Sequence, residues 1–228
     1  MENIYQEKGN EDLSFLKTPE AKRYFAEVDY HLKNGMHIQK EYPKPEALYR
    51  FLDKYAIQLK KYYSDLFQVV LSYGGEEWNR YYFIDFTEGN RGNILSENRE
   101  YVPAQHLIIG LLLINIYKID AHIEMNTVSD FKRTLRQDYE EYKNDLYRLL
   151  ADAESDKDSD YSDRKIDGAI DSAFRFFAKI GWISLSQADE FKVMPSIERL
   201  RKMYENQIIN IEDIFKSGNN TNDIPENI

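Results

Sequence analysis

The chain has 228 residues, no cysteine, 42% hydrophobic residues and a formal net charge of −10 at pH 7. This composition is sufficient for a packed core, and it excludes a disulfide framework, a thiol nucleophile and any cysteine-ligated zinc site. The excess of acids disfavours a free-standing nucleic-acid-binding protein, because contacts to phosphate dominate that affinity.

The sequence shows no targeting or membrane segment. Its first residues have neither a basic start nor an apolar core, so we expect no signal peptide. The longest apolar run, Leu107 to Ile114, is too short to span a bilayer. We therefore expect a cytoplasmic protein with no membrane partner.

The N-terminal half begins with a polar stretch, residues 1–18, which predicts a flexible arm. A helix is predicted from Pro19, and Asn34-Gly35 predicts its C-terminal cap. The apolar periodicity of residues 46–67 predicts one long helix. Two β-rich segments, 67–72 and 81–86, are separated by the turn signal Tyr73-Gly74-Gly75 and predict a hairpin. We assign residues 19–88 to an N-terminal winged-helix domain and residues 89–102, which are rich in turn-forming residues, to a linker.

The C-terminal half is predicted to be a second winged-helix domain, residues 103–205, containing an acidic loop at 152–163. A helix beginning at Pro103 is apolar nearly all round, so it lies either at the centre of the domain or in an interface between protomers. Residues 121–126 predict a strand. Thr127 predicts the cap of a helix extending through Leu150. Residues 206–228 predict a last helix followed by a disordered tail.

The second domain ends in the most informative pattern of the chain. Apolar residues recur at helical spacing from Ile166 to Ile180, and Gly181 ends the helix. Alternating residues then predict a hairpin, and Pro195 begins a further helix. A helix followed by a hairpin is the ending of a winged-helix domain. Because helices followed by a hairpin occur in both halves, we predict a mainly α protein of the α+β class, with tandem winged-helix domains and small hairpin wings.

No catalytic pattern is present, and we expect neither an enzyme nor a cofactor or metal. The four histidines, His31, His37, His106 and His122, lack the spacing of metal ligands. His122-Ile123-Glu124 matches part of a zinc deaminase motif, but that motif needs cysteine ligands. Gly89-Asn90-Arg91-Gly92 matches the GXXG of KH domains, but it follows a strand instead of lying between two helices.

Several segments resemble one protein family in the same order along the chain. They are YFAEVDYHLKNGMHIQ, YYFIDF, YVPAQHLIIGLLLI, the acidic loop and IDGAIDSAFRFFAKIGWISL. Together they resemble the MukE and MksE accessory subunits of bacterial condensin-like SMC complexes, over roughly residues 20 to 210. The details are closer to MksE or a related Wadjet-type subunit than to MukE.

The resemblance implies a non-enzymatic homodimer that clamps a kleisin subunit of the MukF or MksF type. It also implies indirect association with an SMC ATPase of the MukB or MksB type, at the nucleoid. Chromosome organisation and segregation, or defence against plasmids, are the functions it implies. Eighteen tyrosines and twelve phenylalanines fit such interfaces, although a compositional bias would also produce them.

Nine basic residues of the second half are candidates for weak, non-specific contact with the DNA backbone. They are Arg133, Arg136, Arg164, Lys165, Arg175, Lys179, Arg199, Arg201 and Lys202. The alternative is that these side chains pair with the acidic loop or with acids of the kleisin. The alternative function is that of a dimeric winged-helix transcription regulator, which would bind one palindromic site by itself.

Overall fold

The computed structural model describes residues 13–41, 46–86, 92–95, 101–119, 123–154 and 163–211. The chain divides into two compact units, Met1–Glu100 and Tyr101–Ile228. Both are mainly helical and carry small antiparallel sheets, which confirms the predicted α+β class. The assignment of the two units to winged-helix domains stays a prediction. Most of the predicted acidic loop and tail lies outside the described residues.

The first unit contains three α-helices, a short 3-10 helix (Ser14–Lys17) and a three-stranded antiparallel sheet in its described residues, with the last strand in the centre of the sheet. Val70 pairs with Asp85 and Gly74 with Tyr81, so the last two strands form the predicted hairpin. The elements are α1 (Pro19–Lys33), β1 (Ile38–Gln39), α2 (Glu46–Lys54), α3 (Ala56–Phe67), β2 (Val70–Gly74) and β3 (Tyr81–Asp85).

Both ends of α1 lie where the sequence predicts them. The hydroxyl of Thr18 accepts a 3.1 Å hydrogen bond from the N–H of Ala21, and Pro19 occupies the first turn. At the other end Gly35 has a φ of 76°, and the N–H of Met36 donates to the carbonyl of His31 at 3.0 Å. Glycine adopts this left-handed conformation without the steric penalty of a side chain.

The single long helix predicted for residues 46–67 is wrong, because the helix is broken at Tyr55. Its φ of −107° and ψ of 20° separate α2 from α3. The ring of Tyr55 lies 5.4 Å from that of Phe15 and 5.1 Å from that of Phe51. Its hydroxyl donates a 3.0 Å hydrogen bond to Glu20. The contacts with Phe15 and Glu20, which are distant in sequence, fix the side chain and favour the local break.

The second unit consists of helices and a two-stranded hairpin in its described residues. The first helix continues into a π-helical turn at Asn115–Ile119, and a short 3-10 turn, Pro195–Ile197, follows the hairpin. The elements are α4 (Ala104–Ile114), α5 (Val128–Asp138), α6 (Lys143–Glu154), α7 (Asp163–Ile180), β4 (Ile183–Leu185), β5 (Phe191–Val193), α8 (Glu198–Met203) and α9 (Glu205–Ile209).

Helix α4 is the centre of the second unit. Each hydrophobic residue from Leu107 to Ile114 is at most 3% exposed, and the helix contacts α6, α7, α8 and α9. Of the two positions predicted for this apolar helix, the structure places it at the centre of its own unit. Gly110 permits close packing there, since a Cβ at this position would lie 2.9 Å from Cδ2 of Leu200.

Two further predictions for the second half are corrected. The helix predicted from Thr127 to Leu150 is interrupted at Tyr139, whose φ is −115°. Its buried hydroxyl accepts a 2.7 Å hydrogen bond from Nδ2 of Asn115, and this contact from another helix holds the interruption. Residues 123–126 of the predicted strand form a turn and a segment without regular secondary structure. The next residue, Thr127, forms an isolated β-bridge with Glu190.

The predicted helix ending and hairpin of the second unit are confirmed. Gly181 has a φ of 87°, and the N–H of Trp182 donates to the carbonyl of Phe177 at 2.9 Å, so the helix ends in a glycine cap. Ile183 then pairs with Val193 in the antiparallel hairpin. This hairpin therefore follows directly from the end of α7.

Candidate macromolecule-binding surfaces

Helix α7 carries three chemically different strips along its 18 residues. The first strip is apolar and buried, and it packs into the core of the second unit. Successive residues turn by about 100° around a helix, so the remaining residues of α7 form two polar strips, one on each side of the buried apolar strip. The buried strip consists of Ile166, Ala169, Ile170, Ala173, Phe174, Phe177 and Ile180.

The second strip is acidic and pairs with cations of α5 and α6. Three aspartates stand four residues apart, a spacing that places them above one another on the same face. Each aspartate has one cation opposite. The distance from the lysine Nζ to the carboxylate oxygen is 2.5 Å in the pair nearest the hairpin and 2.9 Å in the pair at the start of α7. We call these pairs the charge ladder: Lys132–Asp171, Arg136–Asp167 and Lys143–Asp163.

The charge ladder covers an apolar cleft between α5, α6 and α7. Leu135, Leu146 and Ile166 contribute to the floor of this cleft. Tyr147 also lines the cleft, and its hydroxyl donates a hydrogen bond to Asp163. That bond, together with the ammonium group of Lys143, lowers the pKa of Asp163. The acids of the ladder are thus neutralised within the unit and join its helices.

The third strip of α7 is basic and faces solvent. Arg164, Lys165, Arg175 and Lys179 all lie outside the buried strip and are exposed. The four cations fall within about 100° of the helix circumference and extend along about 22 Å of its length. Arg164 and Arg175 have no acidic partner among the described residues. We call these four residues the basic strip.

The other five candidate cations lie elsewhere. Arg133 pairs with Asp130 one turn before it, and Arg136 belongs to the charge ladder. Arg201 pairs with Glu198 at 2.6 Å and with Glu205 at 3.0 Å. Arg199 is half-buried and Lys202 is exposed, both in α8. The structure thus brings four of the nine candidates together, and the role of all nine in DNA contact stays a prediction.

The hairpin that follows α7 has its tip fixed against α5. The carboxylate of Asp189 accepts hydrogen bonds from the N–H of Ser129 at 3.1 Å and from its hydroxyl at 2.7 Å. The backbone N–H of Val128 donates to the carbonyl of Asp189 at 3.0 Å. An acid at this end of α5 also interacts favourably with the helix dipole. Sequence reasoning missed this contact, because 60 residues separate Ser129 from its partner.

Two of the histidines, His37 and His106, pack against aromatic rings. His37 is 2% exposed and packs against Tyr81 and Phe83. The ring of His106 lies 5.2 Å from that of Phe176, and burial lowers its pKa. His122 lies outside the described residues. In the part of the chain that the structure describes, no group of three acids or histidines could hold a metal ion, and no helix is long and apolar enough to cross a membrane.

The fold is mainly helical, and the charges of α7 are divided between the charge ladder and the basic strip. The sequence matches the family of the condensin complex protein MksE over residues 23–205. This match covers more than half of the chain, so the chain belongs to the MksE family and is a subunit of a condensin-like complex. The predicted resemblance is confirmed. No curated protein matches the sequence.

Proposed function

We propose that this chain is a non-catalytic accessory subunit that dimerises and binds the kleisin of its condensin-like complex. In that role it supports chromosome organisation and segregation or defence against plasmids, and it reaches the SMC ATPase through the kleisin. The observation that carries the proposal is the family match, which spans residues 23–205 and so includes most of both units.

The order of elements supports two winged-helix domains as the scaffold of this subunit. In the first unit three helices precede the β2–β3 hairpin, and β1 joins the same sheet. In the second unit α7 leads directly into the β4–β5 hairpin. The second unit contains more helices than a minimal winged helix, and its additional helices surround α4.

We further propose that the basic strip of α7 contacts the DNA backbone when the complex holds a duplex nearby. In a winged-helix protein, the helix that precedes the hairpin is the one that usually enters the DNA groove. Four cations on one helix face supply attraction without base readout. The net charge of −10 opposes tight binding by the isolated chain, so the contact is weak and depends on the partners.

The fixed hairpin tip argues against a free-standing transcription regulator. A wing that enters a DNA groove must be accessible and is favoured by positive charge. Here the tip carries Asp189 and Glu190, and Asp189 is bonded to the start of α5. This arrangement is better suited to holding the second unit together than to reading DNA.

The proposal is tested by size-exclusion chromatography with light scattering, on the chain alone and after co-expression with the product of the adjacent gene. We expect a dimer of about 54 kDa, twice the 27.1 kDa of one chain, that co-purifies with a kleisin-like neighbour. A protein that ignores its neighbours and alone retards one promoter fragment would instead be a transcription regulator, with half-sites about one helical turn apart.

A further inference from the structure

Strand β2 lies at the edge of the sheet in the first unit. Among the described residues, β3 pairs with one side of β2 and no strand pairs with the other. Alternate residues of an antiparallel strand direct their N–H and C=O groups to opposite sides, so every second residue of β2 presents these groups at the outer edge. Such an edge is a template for another extended chain.

A groove runs along this edge between β2 and α3. It is lined by Lys60 and Ser64 of α3 and by residues 69–73. Two apolar side chains in it are unusually exposed, Val70 at 47% and Tyr73 at 54%. Natural proteins normally protect an edge strand with charge, proline or a covering loop, so exposed apolar groups beside an edge indicate a binding surface.

The charge of the groove is positive. Lys60 is the only charged residue among the described residues that line it, and its Nζ lies 4.9 Å from the centre of the Tyr73 ring. The other cations of α2 and α3 pair with carboxylates, as in Arg50–Glu46, Lys54–Glu20 and Lys61–Asp65. Lys60 rests on an aromatic ring instead, and a ring does not neutralise its charge. Lys60 thus remains able to bind an acid.

We propose that the β2–α3 groove binds an extended acidic peptide segment of a protein partner, which adds to the sheet as a strand beside β2. Backbone hydrogen bonds to the outer edge of β2 supply affinity, and alternate side chains supply specificity. Side chains of the added strand that face α3 meet Lys60 and are acidic. Those on the opposite face cover Val70 and are apolar.

The geometry favours a peptide over a nucleic acid. A strand edge offers alternating donors and acceptors, which match a peptide backbone, whereas a phosphate backbone has acceptors only. The hairpin turn that follows β2 lies next along the chain from Tyr73, a lining residue of the groove. Trp78, 69% exposed in the same turn, offers a further aromatic contact to a protein partner.

The probe for this proposal is a fluorescein-labelled octapeptide of alternating valine and glutamate, titrated with the full-length chain and followed by fluorescence anisotropy. We expect saturable binding by this peptide and none by the matched peptide of alternating valine and lysine. Two N-methylated forms test strand addition, one methylated on every valine and the other on every glutamate. Because only one set of amides faces β2, one form must lose binding and the other must retain it.

The matched variants are Lys60→Glu and Lys61→Glu, neighbours on α3 with the same change of charge. We expect Lys60→Glu to weaken binding by about tenfold or more and Lys61→Glu by less than about twofold, since only Lys60 lines the groove. If circular dichroism shows that Lys60→Glu is unfolded, Lys60→Gln serves in its place. The proposal would be overturned if the wild-type chain did not bind the acidic peptide or if both variants lost the same affinity for it. Equal binding of the two N-methylated forms would also overturn it. The kleisin assay above is independent of each of these outcomes.

Discussion

Nζ of Lys132 donates a 2.5 Å hydrogen bond to Oδ1 of Asp171, and this contact joins α5 to α7. The side chain of Lys132 is 17% exposed, so this cation is more shielded than those of the other two pairs of the charge ladder. The ladder explains why α7 can carry acids and bases in one helix. The acids of α7 face cations of the same unit, and the bases of α7 lie at the surface.

We expect Lys132→Ala to reduce the free energy of unfolding by about 1 kcal/mol, because it removes a shielded charge-assisted hydrogen bond. The neighbouring pair Arg133–Asp130 is within one helix, and Arg133 is 64% exposed. Arg133→Ala is therefore the control and should change stability by at most about 0.5 kcal/mol. Urea unfolding monitored by circular dichroism measures both, and equal effects would show that the ladder does not stabilise the unit.

Replacing either of two helical glycines by a larger residue should change the stability of the protein, but in opposite directions. A Cβ at Gly110 would lie 2.9 Å from Leu200 and 3.3 Å from Phe177, whereas one at Gly168 would meet nothing within 4 Å. We expect Gly110→Val to cost about 2–3 kcal/mol by overpacking the core. Gly168→Ala should stabilise the protein by about 0.5–1 kcal/mol through helix propensity. Thermal unfolding compares the two, and a stable Gly110→Val variant would contradict the close packing around α4.

His106 should make the stability of the protein depend on pH. Burial lowers its pKa in the folded state, and its Nδ1 is buried without a hydrogen-bond partner among the described residues. As the pH falls, the unfolded chain therefore takes up a proton near pH 6.5, before the folded chain does. The stability that the neutral ring contributes is present above that pH and is lost as the pH falls from about 7 toward the lowered folded pKa.

The variant that tests this is His106→Phe, which keeps a ring against Phe176 and removes the titrating group. We expect a smaller loss of stability between about pH 7 and pH 5 than in the wild type, measured by urea unfolding at each pH. At about pH 7.5 the variant should be at least as stable, because an unsatisfied buried nitrogen is removed. An unchanged pH dependence would show that the pKa of His106 is the same in the folded and unfolded states.

The proposed DNA contact depends on the basic strip rather than on total charge. In the assembled complex, Arg175→Glu should weaken DNA retention and reduce its salt dependence, by about one unit of the log–log slope for each phosphate that the variant no longer binds. Arg148→Glu changes the net charge equally but alters a cation that is paired with Asp145 and is not among the nine candidates, so it should have little effect. Equal effects of both variants would indicate a response to net charge alone. Kleisin binding should be unchanged in both.

The boundaries of several elements could be predicted because their signals are local. Thr18 and Thr127 begin helices by accepting hydrogen bonds from backbone N–H groups three residues later. Gly35 and Gly181 end helices in the left-handed conformation. These interactions involve residues close in sequence, so the residue types and their spacing suffice to predict them.

The breaks at Tyr55 and Tyr139 could not be predicted, because each depends on a partner from another element. Tyr55 packs against Phe15, and Tyr139 bonds to Asn115. Hydrophobic periodicity continues through both positions and therefore predicts a single helix in each case. Tertiary contact overrides that local preference.

The sequence by itself determined the α+β class, the positions of the caps and the final hairpin, and the resemblance to the family that the comparison confirmed. Only the tertiary structure decided which charges are neutralised and which remain available. Hydrophobic periodicity predicts which face of α7 carries Asp171 and which carries Arg175. It does not predict which residues of other helices lie opposite those faces. Lys132 reaches Asp171 across 39 residues of sequence, because packing of α5 against α7 brings them together, and Arg175 remains exposed to solvent.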